Sequence, residues 1–150
     1  YIMDLEDLEK KITPKTKILA LCSPHNPVGR VWSKEELEKL ANICIKHNII
    51  IVSDEIHSDI TFKKFTPLAS ISKEIANQTI TLNSAGKTFN IAGLNCGYTI
   101  SKNEDLLKMA MFQGIGCLCC PAKSFCKKAK EPTCHDSFVR WAKSEAEEEK

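Results

Sequence analysis

Ile49-Ile50-Ile51-Val52-Ser53-Asp54-Glu55 is the stretch that decides the fold. Four branched apolar residues in a row, with no polar alternation, read as a short strand covered on both faces, the pattern of a parallel sheet. Upstream lies the clearest helix in the chain. Ser33 and Glu36 form a capping box, and Trp32 and Leu37 take the two hydrophobic-staple positions. Leu37, Leu40, Ala41 and Cys44 then recur on one face, while Lys34, Glu35, Glu38 and Lys39 face water, and the helix is expected to end near Asn48. Before it, Lys17 to Cys22 is an apolar run of strand length, followed by a loop with two prolines and a glycine, Ser23-Pro24-His25-Asn26-Pro27-Val28-Gly29. Strand, loop, helix and strand make a βαβ unit. The expected fold class is therefore α/β, a three-layer sandwich around a mainly parallel sheet.

Working outward, Asp4 to Ile12 reads as a short helix with Asp4 as N-cap, stopped at Thr13-Pro14. Thr79 to Asn83 is expected as a third strand and Gly97 to Ser101 as a fourth, followed by a helix from about Asn103 into Met111. Beyond Gly114 the pattern decays into clustered cysteines, Pro121 and Pro132, with a short amphipathic stretch expected from Ser137 to Ala142. Residues 1–113 are assigned to part of one domain, and 114–150 to a divergent cysteine-rich, charged segment. The chain opens at Tyr1 rather than Met, as expected of a fragment or a processed product.

Composition narrows the function classes. The 150 residues carry 21 basic and 19 acidic side chains, interleaved, for a net charge of +2. No basic cluster offers a nucleic-acid footprint, so no nucleic-acid partner is expected. No apolar run is long enough to span a bilayer and no signal-peptide pattern opens the chain, so a cytoplasmic protein without a membrane partner is expected. Of the 8 cysteines, Cys22, Cys44 and Cys96 read as small buried hydrophobes. Cys117, Cys119, Cys120, Cys126 and Cys134 crowd the last third, beside His135, at spacings that match no paired zinc pattern. Reduced thiols and no metal site are the expectation.

The residues that carry chemistry stand at strand ends. Ser53-Asp54-Glu55-Ile56-His57 closes the Ile49 strand, and Ser84-Ala85-Gly86-Lys87-Thr88-Phe89-Asn90 follows the Thr79 strand. Ligands in open α/β sheets bind outside the carboxyl ends of the strands. A lysine and an aspartate there suit pyridoxal phosphate, which needs an amine for covalent attachment and a carboxylate to keep its ring nitrogen protonated. Taken singly, each residue has a plainer reading: Asp54 as a helix N-cap, Lys87 as a surface lysine, Asn26 as a turn-former before proline.

Three segments in order make a family resemblance specific. Ser23 to Trp32 resembles the Asn-Pro-x-Gly loop of fold type I pyridoxal-phosphate enzymes, the aspartate aminotransferase superfamily. Ser53 to Asp59 resembles the aspartate motif of the MalY/PatB-type cystathionine β-lyases, and Ser84 to Leu94 their lysine segment. The resemblance implies that Lys87 holds the cofactor covalently and acts as general acid and base at the substrate α-carbon. It implies that Asp54 faces the pyridine nitrogen, Asn26 donates to the ring phenolate oxygen, and Ser84 binds the cofactor phosphate. His57 stands where aminotransferases usually carry a tyrosine, and its role is left between cofactor contact and support. A second phosphate ligand, often arginine, is replaced here by Asn95.

The implied activity is a carbon–sulfur β-lyase of amino-acid metabolism. It would release pyruvate, ammonia and a thiol from cystathionine or cysteine-type substrates, as a homodimer in full-length form. An aminotransferase and an inactive, truncated piece of the fold are the alternatives. Relatives also carry an N-terminal phosphate turn and a C-terminal small domain that are not visible here, so an incomplete large domain is expected.

Overall fold

A computed structural model describes residues 1–112. The decay of pattern beyond Gly114, the cysteine cluster and the stretch expected at Ser137 to Ala142 lie outside the described residues.

Local signals set the first elements. Helix α1 (Leu5–Lys11) starts at Asp4, whose carboxylate accepts the Asp7 N–H at 2.9 Å. Helix α2 (Lys34–Lys46) starts at the expected capping box: the Glu36 N–H donates to Ser33 Oγ, and the Ser33 N–H donates to Glu36 Oε2. Leu37, Leu40, Ala41 and Cys44 are its buried residues, as the periodicity predicts. The helix ends at His47, and Asn48 turns the chain at φ 52°, a left-handed conformation that asparagine tolerates. Ile49 then donates back to the Cys44 carbonyl at 2.8 Å before the next strand begins.

One sheet of four strands follows, in the order β1 (Ile18–Cys22), β2 (Ile50–Asp54), β3 (Thr79–Asn83), β4 (Tyr98–Ile100). The first three are parallel and β4 runs antiparallel to β3, so the mainly parallel sheet is as expected. β2 begins one residue later than its apolar run and includes Ser53 and Asp54, which makes Asp54 the last strand residue rather than a loop residue. Two short helices were not legible beforehand: α3 (Lys73–Gln78) and α4 (Ala85–Thr88). The final described helix is α5 (Glu104–Phe112).

Helices cover both faces, which gives the three layers. Leu19 and Leu21 of β1 share a face with Ile51 of β2 by register. That face packs on Trp32, Leu37, Leu40, Ala41 and Cys44, with Leu68 and Ile75 closing it from the β2–β3 connection. Each leucine or isoleucine among them, fully removed from water, contributes about 1.5–3 kcal/mol. On the other face, Ile50, Ile80 and Leu82 pack against Leu106 and Ala110 of α5. The expectation that β2 is equally covered on both sides needs correction. Ile49 and Ile51 are 1% and 0% exposed, whereas Ile50 and Val52 are half-buried. Among the described residues α5 alone covers that second face, and it sits over β3, so Ile18 beyond Ile50 remains 57% exposed. Among the described residues, no helix is long and apolar enough to cross a membrane.

Candidate active site at the carboxyl edge of the sheet

The register aligns three strand ends. Cys22 pairs with Asp54, and Asp54 pairs with Leu82, so β1, β2 and β3 finish at one level. Asn26 follows β1, Asp54 ends β2, and Lys87 follows β3, so all three belong to the same edge. Asn26 and Lys87 are exposed, while Asp54 and His57 are half-buried. Asp54 Oδ1 accepts the Ile56 N–H at 3.1 Å, a local turn that leaves Oδ2 without a partner among the described residues. The plain reading of Asp54 as a helix cap is therefore not what the carboxylate does. Lys87 is exposed. Among the described residues it forms no ion pair and stands open to water.

The Asn26 loop is braced from behind. Its Trp32 indole N–H donates to the Cys22 carbonyl at 3.0 Å, and the Arg30 guanidinium stacks 4.6 Å over the Trp32 ring while pairing with Glu36. Arg30 and Trp32 thus hold the loop. Three polar atoms of that loop, Ser23 Oγ, His25 Nδ1 and Arg30 Nε, are buried without a partner among the described residues. Such groups are costly to leave unpaired when buried.

The lysine segment is a single helical turn, α4, with Ser84 as N-cap. Ser84 Oγ accepts the Gly86 N–H at 2.9 Å and donates its proton to the Cys96 carbonyl. A phosphate contact from Ser84 therefore requires exchange of the Cys96 bond. A Cβ on Gly86 would stand 3.0 Å from Ser84 Oγ, so glycine permits this tight cap. Asn95, at the position where an arginine was considered, adopts φ 48° and ends the turn Ala92–Leu94.

Sequence reasoning missed the residues that join the Asp54 and Lys87 segments. The Glu55 N–H donates to the Leu82 carbonyl at 2.9 Å, Asn83 Nδ2 to Ser58 Oγ at 3.1 Å, and Thr88 Oγ1 to Asp59 Oδ2 at 2.8 Å. Glu55 is itself 3% exposed, and its Oε1 accepts from Ser53 Oγ at 2.9 Å and the Leu68 N–H at 3.0 Å. Burial pushes its carboxyl above the ordinary value, against the pull of those two donors. The polar run Glu55, Ser58, Asp59 after a strand end was the available signal. Its partners lie 13 to 29 residues away and could not be named from spacing. Beside this edge lies a cleft of about 490 Å³, lined by Glu55, Ser58, Asp59, Phe65, Thr81 and Asn83 among others.

Fold and site together define an α/β protein that gathers an amine, a carboxylate and an amide at the carboxyl edge of a parallel sheet. The chain belongs to the class I and II aminotransferase family, whose family model matches residues 1–146. It is 47% identical over 115 residues to cystathionine β-lyase PatB of Bacillus subtilis, covering 75% of this chain and 29% of that protein. It is 41% identical over 102 residues to an asparagine–oxo-acid transaminase of Streptococcus mutans, covering 67% of this chain and 26% of the relative. The structure of cystalysin from Treponema denticola, which contains a pyridoxal 5'-phosphate cofactor, superposes with a TM-score of 0.67 at 44% identity, covering 70% of this chain and 27% of that one. The chain thus spans less than a third of the length of these three relatives.

Proposed function

We propose that this chain is the cofactor-binding segment of a pyridoxal-phosphate-dependent carbon–sulfur β-lyase acting on cystathionine or cysteine-type amino acids. The observation that carries the cofactor reading is the Asp54–Lys87 relation. Asp54 ends β2 and Lys87 lies in the turn that follows the adjacent parallel strand β3, their segments are hydrogen-bonded to one another, and Asp54 Oδ2 and the Lys87 amine have no partner among the described residues. This donor set fits the group. Lys87 offers the amine that attaches to an aldehyde, Asp54 a carboxylate for a protonated ring nitrogen, and Asn26 an amide N–H for a phenolate oxygen. The unpartnered Ser23 Oγ and His25 Nδ1 beside Asn26 add polar capacity at the same edge. The cofactor supplies, when bound, an electron sink that acidifies the substrate α-carbon.

The chain's own residues then have defined tasks. Asp54 would hold a proton on the ring nitrogen through its free Oδ2, and Lys87 would accept the substrate α-proton at Nζ. Asn26 would orient the ring from beyond the carboxyl end of β1, and His57, three residues after Asp54, would be a further polar group. Ser84 serves the phosphate through exchange of its Cys96 bond. The lyase branch is supported by His57 where aminotransferases usually carry tyrosine, and by the similarity to the cystathionine β-lyase PatB. The transaminase similarity supports the second reading, because the same three residues serve amino transfer. The lyase reading includes a cytoplasmic, homodimeric full-length form.

The experiment supplies cystathionine to the full-length protein with and without a keto acid acceptor. Pyruvate released without the acceptor is the expected result. Turnover that depends on the acceptor and yields a new amino acid assigns the protein to the aminotransferases instead.

A further inference from the structure

Helix α4 is four residues long, Ala85–Thr88, and carries Lys87 in its last turn. One turn cannot hold its own position, because fixing the backbone of a first turn costs more than its hydrogen bonds return. Its place must come from anchors outside it. On its N-terminal side the anchor is Ser84, tied to Gly86 and to the Cys96 carbonyl. On its C-terminal side Thr88 Oγ1 donates to Asp59 Oδ2 at 2.8 Å. Just before Ser84, Asn83 Nδ2 donates to Ser58 Oγ, and Asn83 Oδ1 accepts the Ser84 N–H at 2.6 Å.

These contacts form a series running outward from the sheet. Glu55 meets Leu82, Ser58 meets Asn83, and Asp59 meets Thr88. Asp54 stands immediately before the first rung, and Lys87 between the second and the third. The first two rungs join the segment that follows β2 to the end of β3, and the third joins it to α4, the turn that carries Lys87. The Thr88 rung is the one charge-assisted member, and such hydrogen bonds are shorter and stronger than neutral ones. It is also adjacent in sequence to Lys87.

We propose that Asp59 and Thr88 are positioning residues that fix the Lys87 amine relative to the Asp54 carboxylate, with Ser58 and Asn83 as a second, weaker tie. The proposal rests on the assignment of Lys87 and Asp54 to the cofactor. It concerns geometry rather than fold. The Asp59–Thr88 bond lies at the surface, whereas the core beneath the sheet is closed by α2 and α3 without it. A displaced amine slows proton transfer more than it weakens substrate binding, because transfer depends steeply on reach and alignment.

The test uses Thr88→Val, Thr88→Ser, Asp59→Ala and the Asp59→Ala/Thr88→Val double variant in the full-length protein loaded with pyridoxal phosphate. Two quantities are read: the yield of borohydride-trapped cofactor on Lys87 by peptide mass, and kcat and KM for the substrate the protein turns over. Thr88→Val and Asp59→Ala should each lower kcat on the order of tenfold with KM changed much less. They should also slow trapping, while leaving the thermal midpoint near the parent value. Thr88→Ser, which keeps the hydroxyl, should restore both quantities. The double variant should be no worse than either single one, since both break one contact. Parent-like trapping and kcat in both single variants would overturn the proposal, as would a loss confined to the thermal midpoint. Failure of the underlying assignment looks different: the parent protein itself would then trap no cofactor on Lys87.

Discussion

Glu55 offers the sharpest stability test, because its carboxyl is buried beside Asp54 with two named donors. Ser53 Oγ and the Leu68 N–H both donate to Oε1, and Leu68 is 1% exposed. Glu55→Ala removes the acceptor from a buried backbone N–H, which costs about 1–3 kcal/mol, and loss of the Ser53 bond adds about 1 kcal/mol. The expected total is ~2–4 kcal/mol. Glu55→Gln keeps an Oε1 acceptor for both donors and should cost far less.

The pH dependence separates charge from hydrogen bonding. Burial raises the Glu55 carboxyl above its ordinary value of 4.5, and the nearby Asp54 charge adds to the rise. Below the ordinary value both folded and unfolded chains hold the proton, and stability is complete. As pH rises through the raised folded value, the unfolded chain has already released its proton and stability is lost. Glutamine does not titrate. The gap between Glu55→Gln and the parent should therefore move in favour of the variant from acid to neutral pH. Denaturant unfolding of the full-length protein near the ordinary carboxyl value and at neutral pH reads both effects. Equal stability of the alanine and glutamine variants, or a parent–glutamine gap that does not change with pH, would refute the reasoning.

Ser33→Ala should remove the side-chain half of the capping box, costing about 1 kcal/mol and speeding hydrogen exchange at the Glu36 amide. Cysteine reactivity should divide by burial. Cys44 is 0% exposed with its thiol pushed up to about 11, whereas Cys96, contrary to its reading as a buried hydrophobe, is exposed. Brief maleimide treatment followed by peptide mapping should label Cys96 and spare Cys44 until the protein unfolds.

What was legible in the sequence was local or strongly patterned. The Ser33–Glu36 capping box and the Leu37, Leu40, Ala41, Cys44 stripe lie within one helix, and they gave α2 almost to the residue. The run Ile49 to Val52 gave β2, and Thr79 to Asn83 matched β3 end to end. Helix α3 escaped because only Ile75 and Ala76 are buried in its six residues, too few for a periodic signal. Helix α4 escaped because one turn depends on Asp59 and Cys96, which lie 29 and 12 residues from their partners. Uneven cover of β2 was hidden for the same reason, since it depends on where α5 docks. For the site, the motif residues Asn26, Asp54 and Lys87 could be picked out, and strand order brought their segments to one edge. The exposure of Lys87 and the engagement of Ser84 with Cys96 depend on tertiary contacts and were not readable.

The central claim is that Lys87 carries pyridoxal phosphate, and the direct measurement is covalent trapping. Full-length protein is incubated with pyridoxal phosphate, reduced with borohydride and digested, and the modified lysine is located by mass. The label is expected on Lys87 and should disappear in Lys87→Ala, which should retain some non-covalent cofactor. Label on another lysine, or unchanged trapping in Lys87→Ala, would contradict it.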